Sequence, residues 1–427
     1  SFTGKQIVMK EYDKRCKALD AHFRQGKDCR IEDTAIDIRF FRFKSMYNQP
    51  RSMDPAKTSE SGTRDNISVN HVSASLEEEQ VSSAKENNEL LVDHQISENF
   101  SFEYPVFLPA GVRRFESCIL LLHGLNERNW NKYLPWAEFL CFHTGKPVIL
   151  FPIAYHINRA PLSWSNPRSL TGMLNFRRDA YEGDRSISYA NIALSDRISQ
   201  RPERFYLSGR QTWDDLTVLL EEIKTGCHPL FKEDANIDIF AYSIGAFLSQ
   251  VALMANRKGL FSDSRLFMFC GGSIFRSMQG ISRSILDKPA FERLQHYYVH
   301  IFGSEATPFA EKGAPFANET SPSWRRDNAF NAFLQMISPE RFREERERFF
   351  AGLGKRIQGV ALARDTVIPY HGIREALGPE TAGSTIQLLD FPFSYTHENP
   401  FPINTKDTSS LNAAFRGIFS RAAEFLG

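Results

Sequence analysis

The chain has 427 residues, 42% of them hydrophobic and 24% charged, the proportions of an ordinary globular protein and a length that suits one large domain with insertions or two domains. Its formal net charge of +1 gives no footing for a polyanionic partner, so nucleic acid is not expected. Six cysteines with no CxxC pair and no close Cys/His cluster show no zinc-site pattern, and no apolar run approaches the length of a membrane span.

Cys118 and Cys270 fall in apolar runs and read as free thiols acting as small hydrophobes, which points to a reducing compartment. Residues 1–20 contain no apolar signal-peptide core, although a trimmed N-terminus would have lost one; the expected location is cytoplasmic.

Residues 8–23 have the spacing of an amphipathic helix, and Ile36, Ile38, Phe40, Phe41 and Phe43 follow in a strand-like pattern. Residues 48–99 hold no Phe, Trp or Tyr and are rich in Ser, Asn, Glu and Lys. They read as a polar linker with weak signals for short helices at 77–80 and 83–91. Residues 1–99 are therefore expected to be an N-terminal extension, suited to an interaction role or a homo-oligomer contact, ahead of a domain at 100–427.

From residue 100, strand-like and helix-like patterns alternate. Runs at 101–108, 118–122, 148–154, 237–242, 265–270, 357–363 and 385–391 have strand length, and 131–143, 212–224, 246–255 and 411–426 have helical character. Continuous apolar strands alternating with helices imply an α/β architecture, a mostly parallel doubly wound sheet covered on both faces. Right-handed crossovers line the strand C-termini along one edge, and ligand chemistry lies beyond them.

The residues that follow those strands carry the chemistry. After the run at 237–242 comes Ala241-Tyr242-Ser243-Ile244-Gly245, a strand–turn–helix with Ser243 at the tip. Such an elbow strains the backbone of its serine and needs small residues two positions either side, here Ala241 and Gly245. After 118–122 comes Leu122-His123-Gly124-Leu125, whose Leu125 N–H is expected to join the Ile244 N–H in binding a developing oxyanion. His123 reads as a residue that orients this loop. Asp365 follows the run at 357–363 and His397 follows 385–391 within one loop. Ser243, Asp365 and His397 thus stand in the order nucleophile, acid, base, each after a different strand. Asp390 competes as the acid but precedes His397 by only seven residues, and Asp238 lies inside the elbow strand.

Through these motifs, together with Arg364-Asp365 and Tyr395-Thr396-His397, residues 100–427 resemble the α/β-hydrolase superfamily. The resemblance implies a mostly parallel eight-stranded sheet, a Ser-His-acid triad and a cap. The expected activity is that of a serine hydrolase cleaving a small-molecule carboxylic ester or related acyl bond, with no metal or organic cofactor required. A peptidase or a thioesterase uses the same triad, and a non-catalytic binding protein of the same fold is the reading from a different class.

Two insertions, at 155–209 and 272–355, are expected to lie over the strand ends as lids. The second is rich in aromatics, among them Phe275, Phe291, Tyr297, Tyr298, Phe302, Phe330 and Phe333. These either pack helices or line an acyl pocket. His123, Tyr242, His156 and Arg159 are the substrate-pocket candidates. Arg159 either takes a substrate carboxylate or phosphate in a bidentate fork or ties the lid to backbone carbonyls.

Overall fold

The computed structural model describes residues 11–47, 93–302, 328–403 and 405–427. The expected helix at 8–23 is Tyr12–His22. The segment 48–92, with both expected short helices, lies outside the described residues, as does 303–327 of the second insertion.

Nine strands form one sheet among the described residues. They are β1 (Cys29–Ile31), β2 (Ile36–Lys44), β3 (Ser101–Pro109), β4 (Phe115–Leu122), β5 (Val148–Leu150), β6 (Phe231–Tyr242), β7 (Leu266–Phe269), β8 (Ile357–Leu362) and β9 (Ile386–Leu389). Their order across the sheet is β1-β2-β3-β5-β4-β6-β7-β8-β9. The first three pairings are antiparallel, and the five from β5–β4 to β8–β9 are parallel. Strands β2 to β9 follow the α/β-hydrolase topology. β1 makes nine strands where eight were expected, and it packs as a hairpin on β2, where Arg30 Nε meets Asp37 Oδ1 at 2.6 Å. Part of the expected N-terminal extension is therefore built into the sheet, since β2 pairs with β3 along nine residues.

Burial explains the patterns. Strand β4 is flanked by β5 and β6 and covered on both faces, so Cys118–Leu122 is a continuous apolar run. Near the edge, β2 is less apolar than β4, with Arg39, Arg42 and Lys44 exposed. Strand β5 stops at Leu150, two residues before Pro152, which has no N–H for the ladder. Strand β6 begins six residues earlier than the apolar run suggests, because Lys232, Glu233 and Asp234 continue it as an exposed end.

Alternate residues of each strand feed opposite cores. Leu120, Ile239, Ala241 and Met268 lie on one side, and Leu121, Phe240, Tyr242 and Phe269 on the other. Six helices position the site: α1 (Tyr12–His22), α2 (Leu134–Thr144), α3 (Ile192–Gln200), α4 (Glu203–Lys224), α5 (Ile244–Ala255) and α6 (Thr408–Leu426). Helices α1, α2 and α6 cover the second face through Tyr12, Trp136 and Phe419, and α4 and α5 cover the first through Leu219 and Val251. Each large apolar side chain taken from water contributes roughly 1.5–3 kcal/mol, before the entropy of ordering is set against it. Helix α1 is anchored to its own chain: the Tyr12 N–H donates to Asn412 Oδ1 at 2.7 Å, and Arg15 forks onto buried Glu138.

Candidate active site

Ser243 ends β6 and starts α5 with φ 55° and ψ −123°, a conformation costly for a side-chain-bearing residue. Gly245 permits the turn. A Cβ at that position would meet the Leu122 carbonyl oxygen at 2.6 Å and that of His123 at 2.8 Å. Ala241, where the motif usually has glycine, is fully buried without needing that clearance.

The strained turn brings Ser243 Oγ to 2.7 Å from His397 Nε2. His397 Nδ1 in turn lies 2.8 Å from Asp365 Oδ2. Because a carboxylate accepts, Nδ1 carries the hydrogen and Nε2 presents its lone pair to the serine hydroxyl. Asp365 is fixed by its own turn: Oδ1 accepts from the Val367 and Ile368 N–H groups, each at 2.9 Å. All three side chains are buried, so their mutual interactions are poorly screened. The three residues placed by sequence at three strand ends therefore form one hydrogen-bonded relay.

The loop after β4 lies beside it. Among the described residues neither the Leu125 nor the Ile244 N–H has an acceptor. The loop is held by residues the sequence did not single out. The Gly124 N–H donates to Tyr133 Oη at 2.9 Å, and that hydroxyl donates to Glu127 Oε1 at 2.7 Å. Burial, with Glu127 alongside, pushes the Tyr133 phenol well above its ordinary range, so it stays protonated. Asn126 (φ 61°) donates to Ala190 O at 2.7 Å and Ser284 O at 2.8 Å, tying this loop to both insertions. Glu398, next to His397, accepts from the Ser282 hydroxyl.

The pocket candidates divide. His156 lines a cleft beside the relay, with Nδ1 on Ala154 O at 2.9 Å; burial lowers its pKa to about 4, so the ring is neutral. The other three are corrected. Arg159 is wholly buried, gives its guanidinium to Asp215 (2.7 Å), Pro152 O (3.2 Å) and Asn99 O (3.0 Å), and is not among the residues lining the cleft. Of its two expected roles, tying backbone together is the one it fills. His123 is also fully buried: its Nε2 accepts from the Ile153 N–H at 2.9 Å and its Nδ1 meets Gly124 O at 2.8 Å, which orients the loop. Tyr242 lies under His397, with the rings 5.5 Å apart and 15° from parallel, and donates its hydroxyl to the His397 carbonyl. The competing acids are engaged elsewhere. Exposed Asp390 meets Arg364 and Tyr395, each at 2.8 Å, and Asp238 meets Arg265 at 2.7 Å and Lys146 at 3.1 Å.

The cleft is partly open to solvent. Leu125 and Ile244, the residue after Ser243, are among its lining residues, and its walls are mainly apolar, including Ile153, Leu194, Phe247 and Val251. Both insertions contribute lining residues. Of the seven aromatics singled out in the second, Phe333 lines the cleft and the others do not; Tyr298, Phe302 and Phe275 pack against one another at 4.9 and 5.4 Å. Among the described residues no cluster of His, Cys, Asp or Glu is placed to hold a metal ion, and no helix is long and apolar enough to cross a membrane.

A family model described as "Family of unknown function (DUF6051)" matches residues 9–427. No curated protein matches the sequence. Among solved structures the chain is similar to a bacterial heroin esterase, at 10% identity and a TM-score of 0.43, over 97% of this chain and 90% of that one. It is also similar to carboxyl esterase 2 of the mycorrhizal fungus Tuber melanosporum, at 10% identity and a TM-score of 0.40, over 77% and 81% of the two chains. At those scores the fold assignment rests on strand order and the elbow.

Proposed function

The chain belongs to the DUF6051 family, and we propose that it is a serine hydrolase that cleaves a carboxylic ester or related acyl bond through an acyl-enzyme. The observation that carries this reading is the relay from Ser243 Oγ through His397 to Asp365, at 2.7 and 2.8 Å.

In the first half-reaction His397 Nε2 takes the proton of Ser243 as Oγ bonds to the substrate carbonyl carbon. Asp365 holds the Nδ1–H tautomer and stabilises the imidazolium that forms. The carbonyl oxygen becomes an oxyanion, met by the unengaged N–H groups of Leu125 and Ile244. Loss of one such donor typically lowers kcat by about 10²–10³. The imidazolium then returns its proton to the leaving alcohol, and the acyl group stays on Oγ. Water, deprotonated by the same imidazole, attacks the acyl carbon and releases the acid, regenerating Ser243. The apolar cleft beside Leu125 and Ile244 suits the acyl arm.

The test is covalent labelling. A fluorophosphonate should modify the wild type at Ser243 and leave Ser243→Ala unlabelled, with both proteins equally folded by circular dichroism. Equal labelling of the two would remove Ser243 from the mechanism.

A further inference from the structure

The walls of the cleft carry more charge than an apolar acyl chain needs. Its described lining includes three guanidinium side chains, Arg197, Arg204 and Arg210, and no carboxylate. The carboxylates that meet these groups lie outside the lining. Asp93 takes both Arg197, at 2.6 Å, and Arg204, at 3.0 Å, and Asp214 takes Arg210 at 3.1 Å. One buried carboxylate therefore serves two cations.

Arg197, on α3, is the group left short. It is 2% exposed, and its guanidinium sits between the Tyr155 and Trp164 rings at 5.0 and 4.5 Å. Its Nη2 is on Asp93, but its Nη1 is buried with no hydrogen-bond partner. Desolvation lowers its pKa and Asp93 opposes that only in part, the state of an under-compensated cation. A second donor of the lining, Trp213 Nε1 on α4, is also buried without a partner. Buried donors are nearly always satisfied, and orphans of this kind call for an acceptor that the described residues do not supply. His156 Nε2, also in the lining, is a lone pair and takes a donor instead.

From these groups we infer that the acyl arm of the substrate ends in a carboxylate, bound by Arg197 Nη1 with Trp213 Nε1 as the second donor, while the ester end lies at Leu125 and Ile244. The inference rests on the hydrolase reading above. It names the substrate class as monoesters of dicarboxylic acids, with an apolar chain spanning the cleft.

The experiment compares para-nitrophenyl monoesters of a series from butanedioic to decanedioic acid with the para-nitrophenyl esters of the matching monocarboxylic acids. At the best chain length the wild type should favour the carboxylated ester in kcat/KM by about tenfold or more, as a hydrogen bond between charged groups allows. Arg197→Gln should bring that ratio toward one. A ratio at or below one in the wild type, on esters it hydrolyses, overturns the carboxylate inference and leaves the hydrolase reading standing. A second measurement needs neither turnover nor a variant: the free diacid of best length should protect Ser243 from fluorophosphonate in the wild type better than the matching fatty acid does. Equal protection overturns the inference even if Arg197→Gln misfolds. Absence of any labelling at Ser243 overturns both readings.

Discussion

The hydroxyl of Tyr242 donates to the backbone carbonyl of His397, while the next residue along the chain, Ser243, meets the imidazole of the same histidine at 2.7 Å. One dipeptide at the end of β6 thus holds both the main chain and the ring of a residue more than 150 positions away. Tyr242→Phe removes the hydroxyl and keeps the stacked ring. Its expected effect is a fall in kcat of about tenfold, the worth of one buried hydrogen bond whose acceptor is left unsatisfied, with KM little changed. The check is steady-state kinetics beside the melting temperature. An unchanged kcat would show that the loop after β9 is fixed without this contact.

Gly245 sets the elbow by absence of a side chain. Its missing Cβ would lie 2.6 Å from Leu122 O and 2.8 Å from His123 O, both backbone atoms of the loop that carries Leu125. Gly245→Ala must push β4's exit loop away from α5 and so part the Leu125 and Ile244 amides. The expectation is a loss of about 10²-fold or more in kcat, the size of one misplaced oxyanion donor, with a lowered melting temperature. Full activity in a well-folded Gly245→Ala would refute the assignment of Leu125 and Ile244.

Arg159 is a stability residue. Its charge and that of Asp215 are buried at 0% and 2% exposure, 2.7 Å apart. Removing one partner of such a pair leaves the other charge uncompensated and costs roughly 3–5 kcal/mol. Arg159→Ala should therefore lower the urea midpoint sharply, and substrate KM should not move in whatever fraction remains folded. A rise in KM without loss of stability would restore Arg159 to the pocket.

The relay was legible because strand C-termini are legible. Ser243 and Asp365 follow apolar runs that the sheet buries on both faces, His397 follows the half-exposed edge strand β9, and the topology rule says where such ends point. Depth was not legible. A sequence shows that Arg159 and His156 lie beyond a strand end, but not that Asp215 on α4 closes over one and leaves the other at the cleft. Nor could spacing reveal Tyr133 or Asn126. Tyr133 fits the apolar pattern of α2, and its hydroxyl is used by a glycine N–H nine residues earlier; Asn126 reaches carbonyls 64 and 158 residues away. Strand β1 was missed because three residues, Cys-Arg-Ile, are too few for a period to show.

Loss of stability in acid follows from histidines buried as neutral rings. Burial lowers the pKa of His156 to about 4, from about 6.5 in an exposed chain, and that of His228 likewise to about 4. Burial also lowers His123 well below its ordinary value. Between these pH limits the unfolded chain binds protons that the folded chain refuses, so stability rises with pH across the window. The contribution is fully present above about pH 6.5 and is lost as pH falls toward 4. His156 alone accounts for about 3 kcal/mol of that loss, since each tenfold difference in proton affinity between the folded and unfolded chain is worth about 1.4 kcal/mol. Urea midpoints should therefore be level from pH 8 to about 7 and drop progressively below about 6. His156→Asn places its amide N–H where Nδ1 stood, keeping a donor for Ala154 O, and has no proton to gain, so it should flatten part of that slope. A wild-type midpoint unchanged at pH 4.5 would mean that these rings accept protons in the folded state, and with them that the cleft wall at His156 admits water.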